Sequence, residues 1–335
     1  MPRQKEPIYF FLGIVFAMTM LGLPWTSALR AATEPVHAKV SYAGLSGYQL
    51  PLWLLKDQRL DKKYGLDVQA VLVRGGTMSV QALMAGSTQL AQVGGDVTVG
   101  AVLRGADIVT VAASMNRLVS FLVSSPGVKT AADLKGKKVG IVRFGGMNEW
   151  VATVELQELG LEPKDVIFLQ TGNVAERIVA LEKGFIDASI FSYPELVTLK
   201  KMGYRVLVDV GNLNAYFPTS TIAVRRDYLE KNRGMIKNFL KSYSEAIHVI
   251  RTQRDTAARV LTKHTRLADP DTLGQTYDFL SRNIEPIPRA NRKGIENVLA
   301  ELSKGEDAKR VSAKDLVESS LLDELEKEGF FARLK

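Results

Sequence analysis

The sequence predicts an α/β protein with two blocks of alternating strands and helices, followed by a helical block at the C-terminus. Three observations favour this fold class. Five times, a β-branched apolar run ends in a small-residue turn that opens onto a helical pattern. Helical patterns fill most gaps between these runs, and from Asp227 onward nearly the whole chain has a helical pattern. Such alternation is typical of mixed, mostly parallel sheets that are flanked by helices.

The first block begins with an alternating run at residues 38–42, which has the period of a strand. A helix is expected at 49–59 and a second strand at 67–73. Further strands are predicted at 90–93, 108–113, 119–124, 138–142, 166–169, 188–191, 205–210 and 220–224. Helices between them are predicted at 78–85, 97–104, 148–159, 174–183 and 195–202. The C-terminal helices are predicted at 235–252, 256–264, 271–282, 293–302 and 313–327.

Two strand-like runs, 120–123 and 220–224, are natural crossing points between the two blocks. If the chain crosses at both, the middle block is inserted into the first, and two lobes enclose a cleft. The predicted organisation is then lobe 1 at 33–122, lobe 2 at 123–217, and a return to lobe 1 at 218–335 with the C-terminal helices. A single α/β domain with a helical cap is the alternative.

The N-terminus has the pattern of a secretory signal. Arg3 and Lys5 precede an uncharged apolar run at residues 8–23, and Thr26-Ser27-Ala28 follows it. The run has 16 residues and is short for a membrane span, although a retained anchor is the alternative. We therefore expect residues 1–32 to be a signal peptide and the mature protein to be periplasmic. The absence of cysteine excludes disulfides, thiolate chemistry and a lipoprotein anchor.

Composition and motifs argue against several functional classes. The net charge of +8 is spread along the chain in short pairs such as Lys137-Lys138, which disfavours nucleic acid as a partner. The segment Gly44-Leu45-Ser46-Gly47 nearly spells a nucleophile elbow, but Tyr48 stands where glycine is required. The three histidines are scattered without a zinc spacing. We therefore expect no cofactor, no metal and no catalytic residues.

The five small-residue turns are the strongest indication of a binding site. They are Arg74-Gly75-Gly76-Thr77, Gly94-Gly95-Asp96, Phe144-Gly145-Gly146-Met147, Thr171-Gly172-Asn173 and Phe191-Ser192-Tyr193-Pro194. Each places backbone N–H groups at the positive end of a helix dipole, beside the carboxyl end of a strand. Ligands bind at that edge in open α/β sheets. The turns therefore predict a concave, donor-rich site for a small molecule.

Several short motifs, in their order and spacing, resemble one protein family. They include Leu50-Pro51-Leu52-Trp53, Asp133-Leu134-Lys135-Gly136 and Ile186-Asp187-Ala188, with further matches at 64–68, 75–76, 82–86, 104–107, 137–140, 159–166 and 180–185. The chain resembles the substrate-binding proteins of nitrate/sulfonate/taurine-type (NitT/TauT-like) ABC importers, which include thiamine-pyrimidine binders. This resemblance implies a two-lobed type II periplasmic-binding-protein fold that closes on a small ligand and delivers it to a permease and ATPase. A monomer suits such a role.

The turns and the resemblance together give a set of candidate ligand-binding residues. They are Leu45, Ser46, Tyr48, Gly76, Thr77, Gly95, Asp96, Asn116, Arg143, Phe144, Gly145, Gly146, Asn173, Ser192 and Tyr193. Thr77 and Asp96 could instead serve only as helix N-caps. Arg143 could clamp a carboxylate or sulfonate, or could pair with a nearby acid at the surface.

The identity of the solute stays open at this stage. Arg143 and the helix N-termini favour an anion such as an alkyl sulfonate or taurine, whereas Asp96 and the aromatic residues favour an amine or a pyrimidine-like ring. A ligand-sensing module of the periplasm is an alternative function. A thiamine-pyrimidine synthase-like enzyme is disfavoured, because the family resemblance implies a Cys-rich motif there and this chain has no cysteine.

Overall fold

In the part of the chain that the structure describes, ten strands form two separate five-stranded sheets, and helices flank both. The structure is a computed structural model that describes residues 34–142, 144, 147–209, 216–303 and 311–334. The strands are β1 (Val36–Tyr42), β2 (Leu66–Leu72), β3 (Leu90–Val93), β4 (Ile108–Arg117), β5 (Phe121–Ser124), β6 (Lys138–Ile141), β7 (Ile167–Gln170), β8 (Ala188–Phe191), β9 (Arg205–Asp209) and β10 (Tyr216–Arg225).

Fifteen α-helices lie among the described residues. They are α1 (Leu50–Asp57), α2 (Leu60–Lys63), α3 (Gly76–Met84), α4 (Gly95–Leu103), α5 (Ala131–Leu134), α6 (Met147–Glu158), α7 (Val174–Glu182), α8 (Glu195–Lys201), α9 (Arg226–Lys231), α10 (Arg233–Thr252), α11 (Arg254–Thr265), α12 (Pro270–Asn283), α13 (Arg292–Leu302), α14 (Ala313–Leu316) and α15 (Ser320–Lys327). No described helix is long and apolar enough to cross a membrane. The predicted signal at 1–32 lies outside the described residues.

The two sheets share one topology. The first has the order β2-β1-β3-β10-β4, and the second has the order β7-β6-β8-β5-β9. In each sheet three neighbouring strands are parallel, and the last two strands in the order join them through antiparallel pairs. Both sheets therefore present the carboxyl ends of three parallel strands at a common edge, which is where α/β proteins bind ligands.

The chain passes from the first sheet to the second between β4 and β5, and it returns between β9 and β10. Residues 36–117 and 216–225 thus supply the strands of the first sheet, and residues 121–209 supply those of the second. We call the parts built on these sheets lobe 1 and lobe 2. The predicted fold class, two mixed sheets flanked by helices, is confirmed, while the predicted lobe boundaries stay a prediction.

The C-terminal helices complete the core on the lobe 1 side. Helix α10, the longest among the described residues, contacts α1, α2 and α15, and it buries Phe239, Tyr243 and Ile247 completely. The hydroxyl of Tyr243 donates to Ser114 Oγ at 3.1 Å, so this buried phenol has a hydrogen-bond partner between α10 and β4. Two ion pairs, Lys237–Glu324 at 2.8 Å and Arg233–Glu324 at 2.7 Å, hold α15 against α10.

The structure corrects one helix prediction and adds short helices that were not predicted. The helix expected at 49–59 corresponds to α1 (Leu50–Asp57), and the unpredicted α2 begins beyond it, after Arg59, which adopts a left-handed backbone conformation with φ of 56°. The helix expected at 313–327 is divided into α14 and α15, because Val317 leaves the helix to pair with Thr110 of the edge strand β4. Helix α9 was not predicted, since its six residues follow β10 directly.

Candidate functional site

A loop of lobe 1 meets a turn of lobe 2 at Tyr48. This residue lies in a short 3-10 turn, Gly47–Gln49, that follows the loop after β1. Its hydroxyl donates to the carbonyl of Val119, at 3.3 Å, and is hydrogen-bonded to Ser192 Oγ, directly after β8. Because a phenol has a single proton, Ser192 donates to Tyr48 in this arrangement. Two predicted ligand-binding residues, 144 positions apart in sequence, are therefore in direct contact.

The position of Tyr48 is fixed by a buried polar network that the sequence analysis missed. The side-chain amide of Gln92 in β3 donates to the Tyr48 carbonyl at 2.8 Å and to Ser220 Oγ of β10 at 3.0 Å. Burial raises the pKa of the Tyr48 phenol, and the negative charge of Glu195 raises it further, so the hydroxyl stays protonated. The feature of the sequence that indicates this network is Gln92 itself, a polar residue inside the otherwise apolar strand β3.

An aromatic cluster supports the lobe 2 turn. The ring of Tyr193 stacks on Phe279 of α12 with 4.4 Å between centroids, and it meets the edge of Phe121 at 5.7 Å. The Tyr193–Pro194 peptide bond is cis. Burial raises the pKa of the Tyr193 hydroxyl. Since α12 belongs to the C-terminal block, this cluster is a second contact between the lobes.

Two predicted glycines allow close packing at the starts of helices. A Cβ on Gly95 would lie 2.4 Å from Cγ of Pro218, and a Cβ on Gly76 would lie 2.7 Å from Cγ2 of Val97. Only glycine therefore lets α4 begin against β10 and α3 begin against α4. Asp96 lies in the first turn of α4.

Other candidates have structural partners or lie at the surface. Asn116 is buried, and its amide donates to the carbonyl of Arg289 at 2.6 Å and accepts from the Asn291 N–H at 2.9 Å. Asn173 caps α7 by accepting from the N–H groups of Ala175 and Glu176.

The remaining candidates are placed as follows. Leu45, Thr77 and Phe144 are exposed, and Ser46 is partly exposed. Thr77 borders a groove of about 400 Å³ between α3 and α4. Arg143, Gly145 and Gly146 lie outside the described residues. The structure thus brings together Tyr48, Ser192 and Tyr193, but it does not bring the whole predicted set into one cluster.

A buried arginine, which the sequence analysis also missed, lies at the carboxyl edge of the second sheet. Arg177 of α7 is only 4% exposed. Its Nη1 donates to the carbonyl of Gly172 at 3.1 Å, and its Nη2 donates to the carbonyl of Ile190 at 3.3 Å. The signal for its burial was its spacing from Ala180 and Leu181, with which it shares the buried face of α7.

A buried carboxyl lies beside the crossing between β4 and β5. Glu155 of α6 is 0% exposed, and its Oε1 accepts a hydrogen bond from Ser120 in the crossing, whereas its Oε2 has no hydrogen-bond partner. Burial raises the pKa of Glu155 to about 8; the Ser120 hydrogen bond opposes this shift and the negative charge of Asp209 adds to it. Among the described residues, no group of three or more acidic, histidine or cysteine side chains could hold a metal ion.

Comparison with known proteins places this arrangement among binding proteins. Residues 62–257 match the family model described as NMT1/THI5 like. The putative aliphatic sulfonates-binding protein of Escherichia coli is 29% identical over 253 residues, which cover 73% of this chain and 76% of that protein. The putative binding protein YtlA of Bacillus subtilis is 23% identical over 95% of this chain and 96% of that protein.

Solved structures agree with the observed topology. The periplasmic aliphatic sulphonate binding protein SsuA of Escherichia coli superposes with a TM-score of 0.68 at 26% identity, covering 81% of this chain and 91% of that chain. The periplasmic nitrate-binding protein NrtA of Synechocystis superposes with a TM-score of 0.69 at 17% identity, covering 88% and 89%. These relatives confirm the expected NitT/TauT-like resemblance and the type II periplasmic-binding-protein fold. The chain belongs to the NMT1/THI5-like family.

Proposed function

We propose that this protein is the periplasmic solute-binding receptor of an ABC importer and that it closes its two lobes on a small organic ligand. The observation that carries the proposal is the hydrogen bond between Tyr48 and Ser192, which joins the strand-end loops of the two lobes. These loops lie where α/β sheets bind ligands, and each belongs to a different lobe. A ligand held between them contacts both lobes and therefore favours the closed arrangement over an open one.

The side chains at this point provide both polar and apolar contacts. Tyr48 and Ser192 offer hydroxyl groups, and Tyr193 offers an aromatic face that is held by Phe279. A ligand with a polar head and a small apolar or planar part matches this combination. We therefore propose Tyr48, Ser192 and Tyr193 as ligand-contacting residues, and a sulfonate- or taurine-like anion or a pyrimidine-like heterocycle as the solute.

Relatives support the receptor role. Their names describe binding proteins for aliphatic sulfonates and nitrate. In the proposed cycle the closed, loaded form docks on a membrane permease, whose ATPase then drives release and import. The protein performs no chemistry on the solute in this cycle.

The proposal is tested by calorimetric titration and thermal unfolding of the purified protein with ethanesulfonate, taurine, nitrate and a hydroxymethyl-pyrimidine. A ligand that binds only the folded state raises the melting temperature with its saturation. One saturable site with a Kd near micromolar, about −8 kcal/mol, is expected for one of these solutes, which must be recovered unchanged. Conversion of the solute, or no binding across the panel, would contradict the proposal.

A comparison of Tyr48→Phe with Tyr228→Phe tests whether solute binding depends on the inter-lobe contact at Tyr48. Tyr228 lies on α9, and its carbonyl rather than its ring accepts the hydrogen bond from Asn232. Loss of the Tyr48 hydroxyl is expected to weaken solute binding, whereas loss of the Tyr228 hydroxyl is expected to leave it unchanged. Equal affinity of the two variants would contradict a ligand site at Tyr48.

A further inference from the structure

Helix α12 of the C-terminal block is fixed to lobe 1. The Tyr277 hydroxyl donates to the carbonyl of Ile250 at 2.8 Å, and this bond joins α12 to α10. The side chain of Leu280 packs so close to Gly47 that a Cβ there would lie 2.6 Å from Leu280 Cδ1. Gly47 begins the 3-10 turn that carries Tyr48. Helix α12 therefore moves with lobe 1 and with the turn of Tyr48.

The start of α12 is bound to lobe 2 by two ion pairs. The ammonium group of Lys201, the last residue of α8, lies 2.6 Å from Oδ2 of Asp269 and 2.9 Å from Oδ2 of Asp271. Helix α8 follows β8 and packs on β5 and β9, so Lys201 belongs to lobe 2. Asp269 is the N-cap of α12, and its carboxylate accepts hydrogen bonds from the N–H and the hydroxyl of Thr272. The two ion pairs therefore connect the lobes through acidic groups whose positions are set by the start of a helix.

These ion pairs lie far along α12 from the crossing between the lobes. The Phe279 ring meets Phe121, the first residue of β5 after the crossing, with 6.1 Å between centroids. Asp269 precedes Phe279 by ten residues, which corresponds to about 15 Å of helix. A hinge rotation of about 10° at the crossing displaces groups at that distance by up to roughly 3 Å, which is enough to break a hydrogen-bonded ion pair. The ion pairs are therefore sensitive to the relative position of the two lobes.

We propose that Lys201, Asp269 and Asp271 form an electrostatic latch that biases the lobes towards the closed arrangement. The inference rests on the proposed function, because it takes the contact between Tyr48 and Ser192 as the mark of that arrangement. The ion pairs and this contact occur together in the structure, so whatever stabilises the ion pairs also favours the contact. A larger population of the closed arrangement raises the apparent affinity for the solute.

The latch contributes little energy and is sensitive to salt. The side chains of Lys201, Asp269 and Asp271 are 46%, 51% and 58% exposed, so water and ions reach all three. Exposed ion pairs change an equilibrium only a few-fold, and they weaken as the ionic strength rises. We therefore expect the ratio of closed to open molecules to fall about three- to fivefold when the latch is removed.

Pulsed electron paramagnetic resonance on the protein without solute measures this ratio. Because the chain has no cysteine, nitroxide labels attach only at introduced ones, Met84→Cys on α3 of lobe 1 and Val179→Cys on α7 of lobe 2, both at exposed positions. Lys201→Met is expected to lower the closed population about three- to fivefold, and about 1 M NaCl should do the same while Lys201 is present. The control Lys200→Met removes a charge from the exposed neighbouring residue and should leave the distances unchanged.

A double-mutant cycle tests the contact itself. Asp271→Asn removes the charge but keeps an oxygen that can accept the hydrogen bond from Gln275. It should shift the distances when Lys201 is present and have little further effect in Lys201→Met. Equal distance distributions in Lys201→Met and Lys200→Met, or additive effects of Lys201→Met and Asp271→Asn, would overturn the latch. A solute that binds without shortening the distance would instead overturn the proposed closure, and the distributions without solute would still decide the latch.

Discussion

Glu155 provides a sharp prediction about stability and pH. Its carboxyl is fully buried in α6, with one oxygen bonded to Ser120 and the other without a partner. Burial disfavours the ionised form and raises the pKa from 4.5 to about 8. A glutamine side chain at this position would have nearly the same shape and could accept the same hydrogen bond, but it cannot ionise. The substitution Glu155→Gln therefore isolates the effect of charge.

The direction of the pH dependence follows from whether the folded and the unfolded protein keep this proton. Between pH 4.5 and about 8 the unfolded chain has released this proton and the folded protein keeps it, so stability falls as the pH rises. A pKa that rises from 4.5 in the unfolded chain to about 8 in the folded protein lowers the free energy of unfolding by at most about 5 kcal/mol over this pH range. Glu155→Gln is expected to remove this slope and to be more stable than the wild-type protein at pH 8.

Urea unfolding followed by circular dichroism, at pH values from 5 to 9, measures this difference. The control is Glu158→Gln, which changes an exposed carboxyl on the same helix and should leave the slope intact. A gap between wild type and Glu155→Gln that stays constant across this pH range would refute the argument, because it would mean that the carboxyl titrates alike in both states.

Three further predictions concern contacts between the lobes and within lobe 1. Tyr48→Phe should lower the free energy of unfolding by about 0.5–1.5 kcal/mol in urea titrations, because two hydrogen bonds are lost; an unchanged value would contradict the contact. Gly95→Ala should destabilise by roughly 1–3 kcal/mol, since the new methyl collides with Pro218, whereas Gly127→Ala, which meets open space, should be nearly neutral; equal effects would argue against the close approach. Phe279→Ala should cost about 3–5 kcal/mol by removing the ring under the lobe 2 turn, and a loss below about 1 kcal/mol would contradict that packing.

Much of the fold could be predicted from the sequence because strand and helix periods differ and glycine turns separate them. The parallel strands β1, β3 and β8 lie within two residues of their predicted positions. The errors arise where tertiary contacts override the local pattern. Val317 has a place in an apolar helical pattern, yet it pairs with Thr110, which lies far earlier in the chain.

The site could be predicted only in part. Tyr48 and Ser192, which the structure places in contact, were among the predicted residues because each follows the carboxyl end of a parallel strand, where α/β sheets bind ligands; that they bind the solute stays a prediction. Arg177 and Glu155 were missed because a charged residue on a helix is ordinarily assigned to the solvated face. Their burial depends on which elements pack above them. For the same reason, the hydrogen bond from the Asn116 amide to the carbonyl of Arg289 could not be predicted from the sequence pattern.

The central claim, that two lobes close on a bound solute, is tested most directly by small-angle X-ray scattering with and without saturating ethanesulfonate. The radius of gyration is expected to decrease on saturation, and Tyr48→Phe is expected to show a smaller decrease at the same solute concentration. A solute that binds with a micromolar Kd but leaves the scattering curve unchanged would contradict lobe closure.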